Sequence, residues 1–305
     1  MRRFFCCQKG GMFLIIGLIG LSCAAQRAAI WGDATSGYRL SYRSRVGDIF
    51  VYERILSGTD ATEHMGQLFE ATSSSKYVFQ LQSERSDSLL SFVLTVDTIR
   101  YSFDGPRGTQ TIDFGDIQGK KVRVTITPTG EAREIVPIDS LPMPKIGDQP
   151  IGGDSKGWLA VQFFNVPKKP IKIGEQWTET KLDTITHTDT TRQSSQISIN
   201  KSQSTYTVLG EEMKMGFRCL HLLVETTRSL QSSEKAKDNE TNSEGEGETK
   251  SEAWFAYNEG MLVAFDSSDF YEGTTAYSGS RNMTSANTTE SKLSLRLIKY
   301  QPAHK

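Results

Sequence analysis

Apolar residues recur at every second position over many short segments of this chain, and this spacing constrains the fold more than any other feature. The alternation is seen at 38–42, 77–82, 92–98 and 122–126, with Gly, Asp, Ser or Pro turn residues between the segments. Successive side chains of a β-strand point to opposite faces, so this period indicates half-buried antiparallel strands. Long helical patterns are scarce, and the chain is rich in Ser and Thr. The sequence therefore predicts an all-β, mainly antiparallel fold.

The chain length predicts two domains. With 305 residues, the chain exceeds the size that one hydrophobic core usually supports. Pro and Gly residues interrupt the strand pattern in the middle of the chain, where neither a ladder nor a helix can continue. The predicted parts are a linker at 26–37, a first β domain at 38–140, a Pro/Gly connection at 141–170 and a second β domain at 171–300.

Two segments resemble each other and suggest an internal duplication. The segment 171–179 repeats the plan of 45–53, since both place a Gly and an acidic residue ahead of an alternating aromatic strand. This similarity predicts two related domains, each a curved sheet. The alternative is that a turn followed by the start of a strand recurs by chance in an all-β protein.

The connection contains a segment with helical spacing. Asp154 or Ser155 can cap a short helix that ends before Pro167 and carries its aromatic residues on one face. Such a helix either packs on a sheet or lines an apolar groove. The candidate groove-lining residues are Trp158, Phe163, Phe164 and Trp177.

The segment 229–251 consists mainly of Ser, Glu, Lys, Asn and Gly. Side chains of this kind cannot offset the ordering entropy of the chain by burial, so the segment is predicted to be a mobile hairpin tip or loop. Its carboxylates at Glu244, Glu246 and Glu248 lack the pattern of a calcium loop. They are interpreted as solvated charges.

The N-terminus has the order of an export signal. Basic residues precede the apolar run 12–21, and small residues follow it, so 1–25 is predicted to be a signal peptide. Cleavage before Cys23 with lipidation of its sulfur and cleavage after Ala25 are both compatible with this order. An uncut membrane anchor would need about 20 apolar residues, and the run 12–21 is shorter than that. The predicted location is the bacterial cell envelope, either lipid-anchored, with the outer membrane favoured over the inner, or periplasmic or secreted.

The composition argues against nucleic acid as a partner and against catalysis. The net charge is −1, and basic residues are scattered among acidic ones. The histidines at 64, 187, 221 and 304 lack the spacing of a metal motif, and no nucleotide-binding loop or nucleophile elbow is present. Cys219 and His221 would share one strand face, where core packing is a simpler interpretation than a nucleophile pair. The sequence predicts a protein that is not an enzyme and binds no cofactor.

Four segments carry a family resemblance. They are GKKVRVTITPTG at 119–130, FFNVP at 163–167, the strand entry IKIGEQW at 171–177 and the hairpin at 254–265. Together they resemble the uncharacterised bacterial envelope family DUF6263 over nearly the whole mature chain. The resemblance implies a β-rich protein that is exported or lipid-anchored. It implies no site residues, because the family has no established activity.

The sequence therefore leaves two hypotheses about the function. The first is a noncatalytic envelope protein that binds an apolar ligand, such as a lipid, or a protein partner on a concave sheet face. The alternative is a structural or surface-assembly lipoprotein that contacts other envelope components through strand edges and Ser/Thr-rich faces. A continuous apolar cavity would favour the first function, and a filled core would favour the second.

Overall fold

A computed structural model describes residues 31–106, 108–146, 149–150, 159, 163–189, 194–236, 239–279 and 282–303. The elements within this part of the chain are β-strands, and their pairing is antiparallel throughout. The all-β prediction is therefore confirmed.

The described residues form 14 strands. Their bounds are β1 Ile49–His64, β2 Gln67–Ser86, β3 Leu90–Gly105, β4 Gly108–Asp113, β5 Lys121–Ile126, β6 Ala132–Pro137, β7 Lys145–Ile146, β8 Gln149–Pro150, β9 Gln176–Asp189, β10 Ser194–Lys214, β11 Phe217–Ala236, β12 Asn239–Ala256, β13 Met261–Ser278 and β14 Met283–Gln301. Nine of these described strands have 14 to 21 residues. At about 3.3 Å per residue, a strand of 20 residues extends over roughly 65 Å.

All these strands belong to one sheet, in the order β8-β7-β4-β3-β2-β1-β14-β13-β12-β11-β10-β9, while β5 pairs with β3 and β6. The first long strand, β1, pairs with the last strand, β14, from Ile49 opposite Gln301 to His64 opposite Ser285. Strands from both predicted domains therefore share one ladder. The predicted pair of separate curved sheets, with its internal duplication, is not supported.

The repeated segment has a local explanation. Gly47 and Gly174 both have positive φ angles, 92° and 84°, and each lies in the turn that leads into a long strand. Glycine adopts this backbone conformation without the steric cost of a Cβ atom. Similar turn chemistry thus accounts for the similarity between 45–53 and 171–179.

The predicted helix lies largely outside the described residues, which include only 159 and 163–166 of it, and these belong to no helix. The N–H of Phe164 donates to Tyr42 Oη at 3.3 Å, and the N–H of Val166 donates to the Thr129 carbonyl at 2.9 Å. The backbone N–H groups here donate hydrogen bonds to distant segments, whereas in a helix they would donate to carbonyl groups of the preceding turn. The short helix is therefore not supported.

The segment 229–251 is predicted from the sequence to be a mobile hairpin tip or loop, and its described residues form the two arms of a hairpin, with 229–236 in β11 and 239–251 in β12. Both strands have a hydrogen-bonded neighbour on each side. The backbone groups are thus satisfied without apolar burial. Hydroxyl pairs also connect neighbouring strands, including Ser198 to Ser232 at 2.8 Å and Ser243 to Thr275 at 3.0 Å.

The hydrophobic core lies at one end of the long strands, which we call the core end. It is filled with aromatic side chains: Tyr77 stacks on Phe79 at 4.7 Å, and Tyr42 meets Phe255 edge-on at 5.1 Å. Tyr52 Oη donates to the Leu262 carbonyl at 2.8 Å. Beyond this end, the strands continue as a sheet with polar residues on both faces, which we call the distal half.

Candidate binding face

Directly opposite residues of neighbouring strands point to the same side of a sheet, so the register defines two faces. One row, Ser57–Lys292–Ser268–Lys250–Glu225–Thr205, lies on what we call the cleft face. The adjacent row, Leu56–Leu293–Ser267–Ser251–Val224–Tyr206, lies on the opposite side, which is continuous with the core and is called the core face.

The cleft face surrounds a cleft of about 1130 Å³. Residues from β1 and β2, such as Ser57 and Thr72, line it together with residues from β9 and β10, such as Gln176 and Gln203. These two pairs of strands lie at opposite ends of an eight-strand run from β2 to β9, which would measure about 34 Å if flat. The sheet therefore curves around the cleft face.

The cleft is polar and carries charges of both signs. Lys250 lies directly opposite Glu225, and Lys292 lies nearby in the same row. In the next row, Phe270 is flanked by Glu248 and Glu290. The remaining lining residues are mainly Ser, Thr and Gln. Phe270 is 41% exposed and is the large apolar side chain among the described residues that line this cleft.

Two neighbouring clefts extend the same face toward the distal tips. A cleft of about 470 Å³ is lined by Lys201, Glu246 and Glu272, and one of about 490 Å³ is lined by Ile197, Ile199 and Ala276. The face thus forms a long trough, which is lined mainly by polar side chains near the core end and by apolar side chains, such as Ile197 and Ile199, nearer the distal tips. Binding of an apolar ligand on this concave face stays a prediction.

The core face of the distal half is fixed by one charged cluster. Arg228 Nη2 donates to Asp269 Oδ2 at 2.8 Å, and Thr249 Oγ1 donates to Asp269 Oδ1 at 2.6 Å. The Arg228 guanidinium also lies 5.2 Å from the centre of the Tyr271 ring. A sheet that is polar on both faces specifies its register weakly, so these contacts between β11, β12 and β13 fix the alignment.

The structure places three of the four predicted groove residues near each other. Phe164 is buried and stacks on Tyr206 at 6.1 Å, and Tyr206 stacks on Trp177 at 4.6 Å. Phe163 packs edge-on against Tyr42 at 5.5 Å. These aromatics are packed against one another or against the core. Trp158 lies outside the described residues, so a groove that includes it stays a prediction.

Cys219 and His221, for which the sequence favours core packing over a nucleophile pair, have separate partners. Cys219 is buried, and burial raises the pKa of its thiol to about 12, so the thiol remains protonated at neutral pH. His221 stacks on Trp254 at 4.7 Å, and its Nε2 lies 3.2 Å from Glu252 Oε2. The sequence could not reveal these partners, because they depend on the cross-strand register.

Within the described residues, the other candidates form no further site. Glu244, Glu246 and Glu248 alternate with small residues on β12 and are exposed. Within the described part of the chain, no group of three or more His, Cys, Asp or Glu side chains is arranged to hold a metal ion. Cys23 and the predicted signal peptide lie outside the described residues. No described helix has the length and hydrophobicity to cross a bilayer.

Comparisons with known proteins give little further information. No family model matches the chain, and no curated protein matches it at a significant level. Among solved structures, the chain is similar to crystal structures of Pseudomonas aeruginosa OccK2 (OpdF), one of them in complex with glucuronate, and of Pseudomonas aeruginosa OpdQ. The glucuronate complex is 6% identical, with 84% of this chain and 100% of that chain covered and a TM-score of 0.21. OpdQ is 7% identical, with 85% and 98% covered and a TM-score of 0.19. Scores this low carry no argument about fold or function.

Proposed function

We propose that this protein is a noncatalytic component of the bacterial cell envelope that takes part in assembly, binding other polypeptides through its long polar sheet. The observation that carries the proposal is the division of the molecule into a filled core end and a polar distal half. A lipid carrier needs an apolar cavity, whereas the core here is filled by the protein's own aromatic side chains. The distal half exposes both sheet faces and adds little to the core.

Native mass spectrometry of protein purified from its own host tests this proposal. Assembly predicts masses equal to multiples of the chain, or to the chain plus another polypeptide. A co-purified lipid of constant mass, released on denaturation, would contradict assembly and favour the carriage of an apolar ligand.

Export and lipidation at Cys23 remain part of the proposal, with the outer membrane as the favoured location. Two acyl chains would hold the protein at a bilayer, because each buried CH₂ contributes about 0.8 kcal/mol.

Cys23→Ser is expected to move the protein from the membrane fraction to the soluble fraction. The control is Cys7→Ser, which changes a cysteine that either cleavage removes. Unchanged fractionation of Cys23→Ser would instead support cleavage after Ala25 and a periplasmic or secreted protein. The resemblance to the DUF6263 family supports this setting and itself stays a prediction.

A second candidate function is binding of a polar, hydroxyl-rich ligand such as an oligosaccharide in the cleft. The position of Phe270 favours it, because an exposed ring among Ser, Thr, Gln and paired charges offers one apolar contact within a hydrogen-bonding surface.

Titration calorimetry with polysaccharide purified from the host envelope tests this function. Phe270→Ala should weaken binding at least tenfold, and Phe69→Ala, which removes another exposed phenylalanine outside the cleft, should leave binding unchanged. Absence of binding by the unmodified protein would exclude this function for that polysaccharide.

A further inference from the structure

Strand β9 forms a long edge of the sheet. Within the described residues it hydrogen-bonds to β10 alone, from Gln176 opposite Thr207 to Asp189 opposite Ser194. Residues 180–186 are all exposed, including Leu182 at 66% and Ile185 at 63%. An edge of this kind presents unpaired backbone N–H and C=O groups to any extended chain of matching register. Natural proteins usually shorten or interrupt such edges, so a long uninterrupted one requires an explanation.

We propose that β9 is a homodimer interface, in which β9 of one copy pairs antiparallel with β9 of a second copy around a two-fold axis at Leu182. Such an interface is isologous, because each residue meets a fixed partner on the other copy. In this register Leu182 lies opposite its own counterpart. Lys181 lies opposite Asp183 of the second copy, and Asp183 lies opposite Lys181. Two exposed leucines would then be covered and two pairs of opposite charges formed.

The neighbouring registers fit less well. An axis at Lys181 or at Asp183 would place like charges opposite each other, which is destabilising. An axis at Thr180 would pair Glu179 with Lys181, but it would leave Leu182 opposite a threonine. That register would also be shorter. Counted from Thr178, it would pair residues 178–182, whereas the axis at Leu182 pairs residues 178–186. Among the four axes from Thr180 to Asp183, charge complementarity, apolar coverage at Leu182 and length favour the axis at Leu182, which also places Ile185 opposite Glu179.

The hydroxyl residues of the strand support the same register. Thr180 would lie opposite Thr184 of the second copy, and Thr178 opposite Thr186. These residues share the cleft face with Leu182, since they alternate along the strand. Cross-strand hydroxyl pairs already connect the strands within one copy, as Ser204 and Thr226 do at 2.8 Å. The interface would repeat the chemistry that stabilises the distal half internally.

Cysteine cross-linking of the full chain tests the register. Leu182→Cys should form a disulfide-linked dimer on mild oxidation, because opposite Cα atoms in an antiparallel pair are about 5 Å apart. Thr178→Cys alone should not, since its two copies would lie about 27 Å apart. A mixture of Thr178→Cys and Thr186→Cys chains should cross-link. The control is the unmodified chain under the same oxidation, which measures any disulfide-linked dimer formed through its own cysteines.

The outcomes separate the alternatives. If Leu182→Cys cross-links only when mixed with Thr178→Cys, the axis lies at Thr180 and the proposed register is wrong. If no combination cross-links above the unmodified chain, β9 does not form the proposed homodimer.

A charge exchange gives an independent test that does not require cysteines. Lys181→Glu should weaken the dimer at least tenfold in sedimentation analysis, because it places two carboxylates opposite each other in both pairs. The double variant Lys181→Glu with Asp183→Lys should restore dimerisation. Equal dissociation constants for all three proteins would overturn the proposal. These residues are exposed, so the variants should retain the fold of the unmodified chain.

This inference deepens the proposed assembly role and rests on it for its cellular setting. The two can fail separately. A missing cross-link would remove the homodimer and leave other polypeptide partners, whereas a co-purified lipid would remove the assembly role and leave the cross-link.

Discussion

Gly247 of β12 lies on the core face beneath the side chains of its neighbouring strands. A Cβ atom added there would lie 2.8 Å from the Phe270 carbonyl oxygen and 2.8 Å from Arg228 Nε. The carbonyl belongs to the ladder and cannot move without breaking it. Glycine is therefore required here by the close approach of neighbouring groups, and not by an unusual φ angle.

Gly247→Ala is expected to lower the free energy of unfolding by about 2 kcal/mol, because overpacking at a fixed contact costs 1–3 kcal/mol. Gly210→Ala is the matched control, since no atom lies within 4 Å of its added Cβ. It should leave stability within about 0.5 kcal/mol of the unmodified protein. Urea denaturation monitored by circular dichroism measures both changes. Equal stabilities for the two variants would show that the contact at Gly247 relaxes.

Glu211 of β10 connects the edge of the core to the N-terminal segment. Tyr38 Oη donates to Glu211 Oε2 at 2.8 Å, and Arg218 Nε donates to Glu211 Oε1 at 2.7 Å. Burial opposes ionisation of this carboxyl, but the hydrogen bonds from Tyr38 and Arg218 outweigh it and lower the pKa of Glu211. The ionised form is therefore favoured in the folded protein.

The lowered pKa predicts a pH-dependent contribution to stability. A carboxyl whose pKa is lower in the folded state stabilises the fold above its unfolded pKa of about 4.3, and this contribution is lost as the pH falls through the folded pKa. Glu211→Gln should cost about 1 kcal/mol at pH 7, and the difference should shrink toward pH 3. Thermal unfolding from pH 7 to pH 3 tests this, with Glu70→Gln as a control for loss of one exposed charge. A constant difference across the range would contradict the linkage.

At the scale of single elements, the sequence predicted the core ends of strands and missed their length. Tyr77, Phe79 and Leu81 alternate with less buried residues, and all three are buried in the core. The same strand, β2, also includes 67–76, where no buried residue occurs and no apolar alternation marks it. Pairing with neighbours on both sides stabilises these distal residues, and a pattern based on burial does not detect that contribution.

Hydrogen exchange should therefore differ along the same strands. Peptides from 226–250 should lose amide protection at a lower free energy of opening than peptides from 253–265, because the distal segment has few buried apolar contacts. Mass spectrometry of exchanged, digested protein measures this difference. The comparison is internally controlled, since both segments include residues of β12. Equal protection would show that the distal half opens only with global unfolding.

At the scale of the whole molecule, the closing contact is the ladder between β1 and β14. It joins residue 49 to residue 301, so the two ends of the described chain complete each other's sheet. Turn residues and alternation inform on neighbouring strands only, and the sequence accordingly suggested two separate sheets. A pairing over about 250 residues has no local signal in the chain.

This ladder predicts that neither half folds alone. Fragment 31–170 would expose the edge of β1 and part of the core face, and fragment 171–303 would leave β14 unpaired on one side. Each is expected to lack cooperative thermal unfolding, and mixing the two should restore it, because the β1–β14 ladder and the core can then form. A mixture in which the second fragment ends at 282, before β14, is the control and should stay unfolded. Calorimetry reports the transition, and size-exclusion chromatography reports the complex. If each fragment unfolds cooperatively as a monomer, the molecule consists of two independent domains, and the ladder only joins units that are stable without it.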